Sequence, residues 1–212
     1  MRSDFARLQM LVALVRPRRL PLWLAAGVFL IVGTTALTAR ADEGQTLIGS
    51  LGDQVIAVLK QDSGPSERRQ ELESILHDYF DMPEIARLVL GRHWRRADEA
   101  QRERYIELFA QYVVAVYSGQ FGTYGGQRFS VVQSRPVDEA DTMVTAEIRG
   151  NDGIPVVLHF RLHPTERGPR IVDVSVEGVS MLITMREEFS SVVTREGIDG
   201  LLRRLEAKTR SA

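Results

Sequence analysis

The 212-residue chain has no cysteine, which excludes disulfide staples, thiol catalysis and cysteine-ligated metal centres together. Lysine is nearly missing too, with only Lys60 and Lys208 against 25 arginines. That imbalance is a habit of composition and carries no functional reading. Neither a G-x-S-x-G elbow nor a G-x-x-x-x-G-K loop occurs, so the usual settings for an activated serine and for a nucleotide's phosphates are absent. Gly178-Val179-Ser180-Met181-Leu182 lacks the elbow's second glycine, which leaves Ser180 as a turn or cap residue. His159 and His163 are four apart on an expected strand, with no carboxylate at metal-ligand spacing. His77 and His93 fall near helix ends, where structural roles are the rule. An exported lipid-acting enzyme is the rival class to a binding protein, and it lacks its nucleophile and base.

What is present begins with a charged N-terminus. Arg2, Arg7, Arg16, Arg18 and Arg19 precede an apolar run from Leu20 to Leu37, and Ala39-Arg40-Ala41 follows as a small-x-small site. This order reads as an export signal over residues 1–41, with Asp42 as the first mature residue. An uncleaved anchor is the alternative, because about eighteen apolar residues are borderline for spanning a bilayer. On either reading the remainder lies outside the cytoplasm, and cleavage places it in the periplasm. Residues 42–212 hold 21 basic and 27 acidic residues, a net charge of −6. Nucleic acid is therefore not an expected partner. A stretch of this length forms one domain with a sizeable core.

Near residue 122 the hydrophobic period changes from helical to alternating. Leu47, Leu51, Val55, Val58 and Leu59 trace one helix face, which Gly64-Pro65 ends. Leu72, Ile75, Leu76 and Tyr79 mark a second helix. Asp81 with Glu84 opens a third, which Gly91 can close, and Asp98 with Gln101 opens a fourth. In that fourth helix Tyr105, Leu108, Phe109, Tyr112, Val113, Val116 and Tyr117 keep the i, i+3, i+4 rule. After the glycine-rich turn 122–127, apolar residues fall at every second position in four stretches. These are Phe129 and Val131; Val144, Ala146 and Ile148; Val156, Leu158, Phe160 and Leu162; and Val172, Val174 and Val176. The turn 150–153 and the segment from Pro164 to Pro169 join neighbouring strands antiparallel. Two closing helices, 182–193 and 198–208, flank Gly197. The expected class is α+β, a four-stranded antiparallel sheet with helices packed on one face around an apolar cavity.

Two further features bear on function. Arg92, Arg95 and Arg96 cluster between two expected helices, where guanidinium groups can meet lipid phosphates or an acidic partner, or simply be solvated. The segments VLGRHW, the D-x-x-Q helix start, EGVSMLITMREEFSSVV and REGIDGLLRRL, in that order, resemble the periplasmic phospholipid-binding component of the maintenance-of-lipid-asymmetry system. That family is also called the toluene-tolerance proteins. The resemblance spans roughly residues 47–208 and is tightest over 177–202, and a hopanoid-associated branch shares the pattern.

The resemblance implies a monomeric carrier without a cofactor, whose cargo is a glycerophospholipid. Its partners would be an outer-membrane lipoprotein complex and an inner-membrane ABC transporter with its substrate-capturing membrane protein. Exposing two ~16-carbon chains to water at ~0.8 kcal/mol per CH₂ would cost on the order of 25 kcal/mol, so such cargo needs a covered apolar site. Residues expected to line it are Phe109, Tyr112 and Val116 from the long helix, with Val131, Val144, Ile148, Val156, Leu158, Phe160, Val174, Val176, Val179 and Met181 from the sheet and the turn after it. Periodicity alone reads the same residues as ordinary core.

Overall fold

The computed structural model describes residues 33–61, 63–117, 125–151 and 153–210, without the side chains of 33–40, Pro65 and Tyr117. Most of the expected export signal, the expected glycine-rich turn up to residue 124, and Asp152 of the expected hairpin turn lie outside the described residues. The described part of residues 33–41 is helical.

Among the described residues the fold comprises five helices and one antiparallel sheet. The helices are α1 (Gly33–Lys60), α2 (Pro65–Tyr79), α3 (Met82–Leu90), α4 (Glu99–Tyr117) and α5 (Met181–Arg210), with a 3-10 turn over Gly91–Arg96. The strands are β1 (Arg128–Pro136), β2 (Thr142–Arg149), β3 (Pro155–Thr165), β4 (Gly168–Val176) and β5 (Val179–Ser180), in that order across the sheet. The α+β class holds, and a two-residue fifth strand is added to the four expected.

The start signals work as their chemistry requires. Asp81 accepts the Glu84 amide at 3.1 Å, but the Glu84 carboxylate pairs with Arg87 instead of returning to the cap. At α4 the reciprocal box is complete, with Gln101 N to Asp98 Oδ1 at 2.8 Å and Asp98 N to Gln101 Oε1 at 3.1 Å. The two closing helices run together as α5, broken at Gly197, whose φ of 71° is open to glycine at little strain. Arg204 bridges back to Glu196 across the break.

Two apolar clusters divide the interior. In one, Ile48, Leu51 and Val58 of α1 and Leu72, Ile75 and Tyr79 of α2 pack on the inner sheet face, against Val144, Ala146, Leu158, Phe160, Leu162 and Ile171. In the other, α3, α4 and α5 pack on each other through Val89, Tyr105, Leu108, Phe109, Phe189 and Leu201. Val172 is the sheet's contribution to this second cluster. Helices α1 and α2 cover the inner sheet face, and α4 belongs to the helical cluster.

Val172 corrects the alternation read for β4. Arg161 pairs with Asp173 while Leu162 pairs with Ile171, so Val172 is the extra residue of a bulge. The bulge reverses facing at that point. Ile171 takes the inner position and is fully buried, and Val172 turns into the helical cluster. A second bulge at Val132, between Val131 and Gln133, keeps Phe129, Val131 and Ser134 on the inner side.

Close approach of α1 to the sheet depends on glycine. A Cβ at Gly44 would stand 3.0 Å from Leu162 Cδ1 and 3.1 Å from Val144 Cγ2, and one at Gly52 would overlap the Phe129 ring. Around Gly49 there is open space. Gly49→Ala should therefore stabilise the protein by up to ~1 kcal/mol through helix propensity. Gly52→Ala should destabilise it by about 1–3 kcal/mol despite the same propensity gain, because the ring must move. Urea unfolding of the two variants checks the opposite signs.

Candidate functional site

The inner sheet face is graded along its length. At the end nearest the β3–β4 turn, Val144, Phe160, Leu162 and Ile171 are buried beneath α1 and α2. Toward the β2–β3 turn the cover thins. Ile148, Val174 and Val176 are partly buried, Val156 is 39% exposed and Val179 60% exposed. Val179 pairs with Val176 across the β4–β5 turn and so continues the same face. The apolar surface thus runs from a sealed end to an open one.

The open end is held by an unusual turn. Glu177 takes a φ of 50°, and Gly178 one of 82°, the pair of positive values that a two-residue hairpin of this kind needs. Glutamate seldom adopts this backbone. Its retention fits the bonds it makes: Glu177 N–H donates to Val157 O at 3.0 Å, and the Glu177 carboxylate accepts from Val157 N at 2.5 Å. Asp173 then fixes the start of α5 by accepting from Ser180 Oγ at 2.7 Å and Leu182 N at 3.1 Å.

The thirteen residues expected to touch lipid fall into separate groups. Val131, Val144, Ile148, Leu158, Phe160, Val174 and Val176 belong to the inner face. Phe109, Tyr112 and Met181 belong to the helical cluster, where Phe109 and Tyr112 meet Phe189 edge to face at 6.1 and 5.6 Å. Phe109 has no exposed surface and faces α5 rather than the strands. Val116 is half-buried near the end of α4. Val156 and Val179 form the open rim. Helix α1, whose Ile48, Leu51 and Val55 pack across the inner face, was legible as an amphipathic helix, but nothing in its period identified the sheet as its partner.

A cleft of about 550 Å³ opens at the sealed end, between α1, the end of α2 and Pro169. Tyr79 Oη lies at 2.8 Å from Ser50 Oγ and 2.7 Å from Gln54 Nε2 there, with Asp42 and Asp78 also on its wall. None of the thirteen residues lines it. On the outer sheet face the two histidines take part in ordinary hydrogen bonds. His163 Nδ1 is 2.7 Å from Asp141 Oδ1, and His159 Nδ1 is 3.1 Å from Thr145 Oγ1.

The arginine cluster sits in the 3-10 turn, with Arg92, Arg95 and Arg96 all exposed and His93 buried among them. His93 Nε2 is 3.1 Å from Ser190 Oγ and 3.4 Å from Arg92 Nε, and its Nδ1 has no hydrogen-bond partner among the described residues. Burial, and then the positive charges of Arg92 and Arg96, hold the His93 pKa below the usual histidine value.

Comparison with known proteins decides the family. The model of the MlaC protein family matches residues 50–207. This chain belongs to the MlaC family. The MlaC match covers the stretch whose motifs carried the resemblance, and the MlaC family is non-enzymatic. Among relatives, the Haemophilus influenzae intermembrane phospholipid transport system binding protein MlaC is 21% identical over 152 residues, 70% of each chain. The Pseudomonas putida toluene tolerance protein ttg2D is 23% identical over 176 residues, 80% of this chain and 82% of that one. A solved phospholipid-binding protein from Ralstonia solanacearum, in complex with a phospholipid, shares the fold with a TM-score of 0.70 at 22% identity. The likeness covers 79% of this chain and 97% of that one.

His93 gives a pH signature with a definite sign. Its pKa is lower folded than unfolded, so on acidification the unfolded chain takes the proton first. The His93 contribution is whole above the unfolded value of about 6.5 and is lost as pH falls below it toward the folded value. Urea unfolding between about pH 7.5 and about pH 5.5 should show stability falling with acidification, and His93→Gln should flatten that slope.

Proposed function

We propose that this MlaC-family chain is an exported carrier that holds the acyl chains of a glycerophospholipid on the inner sheet face and carries the lipid through the periplasm. It passes the lipid between an outer-membrane lipoprotein complex and an inner-membrane ABC transporter with its substrate-capturing protein. The observation that carries the reading is the open apolar end of the sheet, Ile148, Val156, Val174, Val176 and Val179. A folded protein without apolar cargo gains nothing from leaving that continuation of its core face in water. The phospholipid named for the Haemophilus relative and bound in the Ralstonia protein supports the same cargo class. Among the described residues no helix is long and apolar enough to cross a membrane.

Tails lying along the inner face would extend the contacts that α1 and α2 already make, with the headgroup left outside at the rim. Export with cleavage after Ala41 belongs to the same proposal, and a mature protein beginning at Asp42 is its expected product. Mass spectrometry of the purified protein, native and after organic extraction, tests the cargo. One glycerophospholipid per chain is expected, a hopanoid would change the cargo and keep the carrier, and protein without lipid would remove the reading.

Val179→Glu locates the site more finely. At 60% exposure the new carboxylate can be hydrated in the empty protein, but lipid tails over the rim would have to desolvate it. The variant should fold, by circular dichroism, and copurify with at least about tenfold less lipid, several kcal/mol of lost tail binding being ample for that. Val174→Glu, within the inner cluster, should also lose stability. A folded Val179→Glu protein with normal lipid content takes Val179 out of the site.

A further inference from the structure

We propose that the rim of the sheet and the arginine-bearing 3-10 turn form one surface that docks on an anionic phospholipid bilayer, so that the open end of the inner face meets the membrane. The proposal rests on the carrier reading for its purpose and on separate residues for its evidence.

Contacts connect the two features. Val179 leads through Ser180 into α5, where Ile183 in the first turn is 52% exposed. Arg186 follows one turn later. Its Nε donates to Leu88 O at 2.9 Å, and its side chain runs past Gly91, where a Cβ would stand 3.7 Å from Arg186 Cδ. Ser190, one turn further, reaches His93. Two exposed aliphatic side chains therefore lead directly into Arg186, Arg92, Arg95 and Arg96. Among the described residues Arg92, Arg95 and Arg96 have no ion pair, and the lowering of His93 by Arg92 and Arg96 shows their charge acting on a neighbour. The nearest acidic residues on α5 are Glu187 and Glu188, both exposed.

Charge favours a bilayer as the occupant. Residues 42–212 carry −6 overall, so an anionic membrane repels the body of the molecule, while this end offers Arg92, Arg95, Arg96 and Arg186, exposed and without an ion pair among the described residues, beside the acidic Glu187, Glu188, Asp98 and Glu99. The result is orientation, with the arginine-bearing end turned toward the membrane. Aliphatic side chains beside guanidinium groups suit a surface of phosphates over hydrocarbon, with the former meeting the acyl boundary and the latter the headgroups. The open end would then face the membrane in which the partner complexes sit.

The test uses the chain from Asp42, which contains both apolar clusters and the whole family match. It is sedimented with phosphatidylcholine vesicles and with vesicles carrying about 30% phosphatidylglycerol, between about 20 and about 300 mM salt. Binding should need the anionic lipid and weaken with salt. Changing Arg92, Arg95 and Arg96 together to Ala should weaken it at least about fivefold. Ile183→Ser should weaken it on the anionic vesicles while leaving the melting temperature and the lipid content of the purified protein unchanged. Failure to bind anionic vesicles, binding indifferent to both changes, or binding only when an acidic membrane protein is embedded would each overturn the bilayer as the docking partner. Lipid content measured on the same preparations separates the two readings: lipid-loaded protein that ignores vesicles sinks docking alone, and lipid-free protein that binds them sinks the carrier alone.

Discussion

Helix α1 comes down close on the sheet at two points, because Gly44 and Gly52 put no side chain between its backbone and Val144, Leu162 and Phe129. That approach lets Ile48 and Leu51 reach the inner face and seal one end of it. The sealed end sets the gradient of cover along the strands, and α2 closes over it through Leu72, Ile75 and Tyr79. The isolated bridge between Phe80 and Ile171, with Asp81 N donating to Ile171 O at 3.0 Å, ties the α2–α3 junction to the same end. The open rim at Val156 and Val179 is what remains uncovered at the far end. With a larger residue at Gly44, the helix would ride higher on Leu162 and Val144 and the seal would be poorer.

Much of this was legible from period and punctuation. The alternation of Val156, Leu158, Phe160 and Leu162 identified a strand and its inner side, and the Asp98 and Gln101 pair gave the start of α4 to within a residue. Period reports that a face is buried and leaves open what buries it. Phe109 and Tyr112 are regular core positions, and only the tertiary arrangement sends them toward Phe189 and away from the strands. At Val172 the sequence alternates cleanly through the position, and the bulge is set by the pairing of Leu162 with Ile171 on the neighbouring strand. Which inner-face residues are sealed and which are open was equally out of reach, since Val144 and Val156 differ only in what lies above them.

Polar detail separates the ends of the molecule in the same manner. Asp173 spends its carboxylate on Ser180 and Leu182, and Glu177 spends its own on Val157. Asp173 and Glu177 are thereby committed to holding the β4–β5 turn and the start of α5. The arginines of the 3-10 turn lie beyond this lattice without an ion pair among the described residues, beside a histidine whose pKa burial lowers. Rigid turn chemistry and loose surface charge are placed within two helical turns of each other along α5.

A glycine-walled contact also has mechanical character. Side chains that interdigitate can rotate to fill a gap as two elements separate, but bare backbone at Gly44 and Gly52 has nothing to rotate. Any lifting of α1 at these two points loses contact quickly, because close-packed contacts fall off steeply with distance. The two glycines therefore fix the height of α1 over Leu162, Val144 and Phe129 more tightly than side-chain contacts would. Between them Ile48 and Leu51 supply the contacts that rotamer changes can adjust.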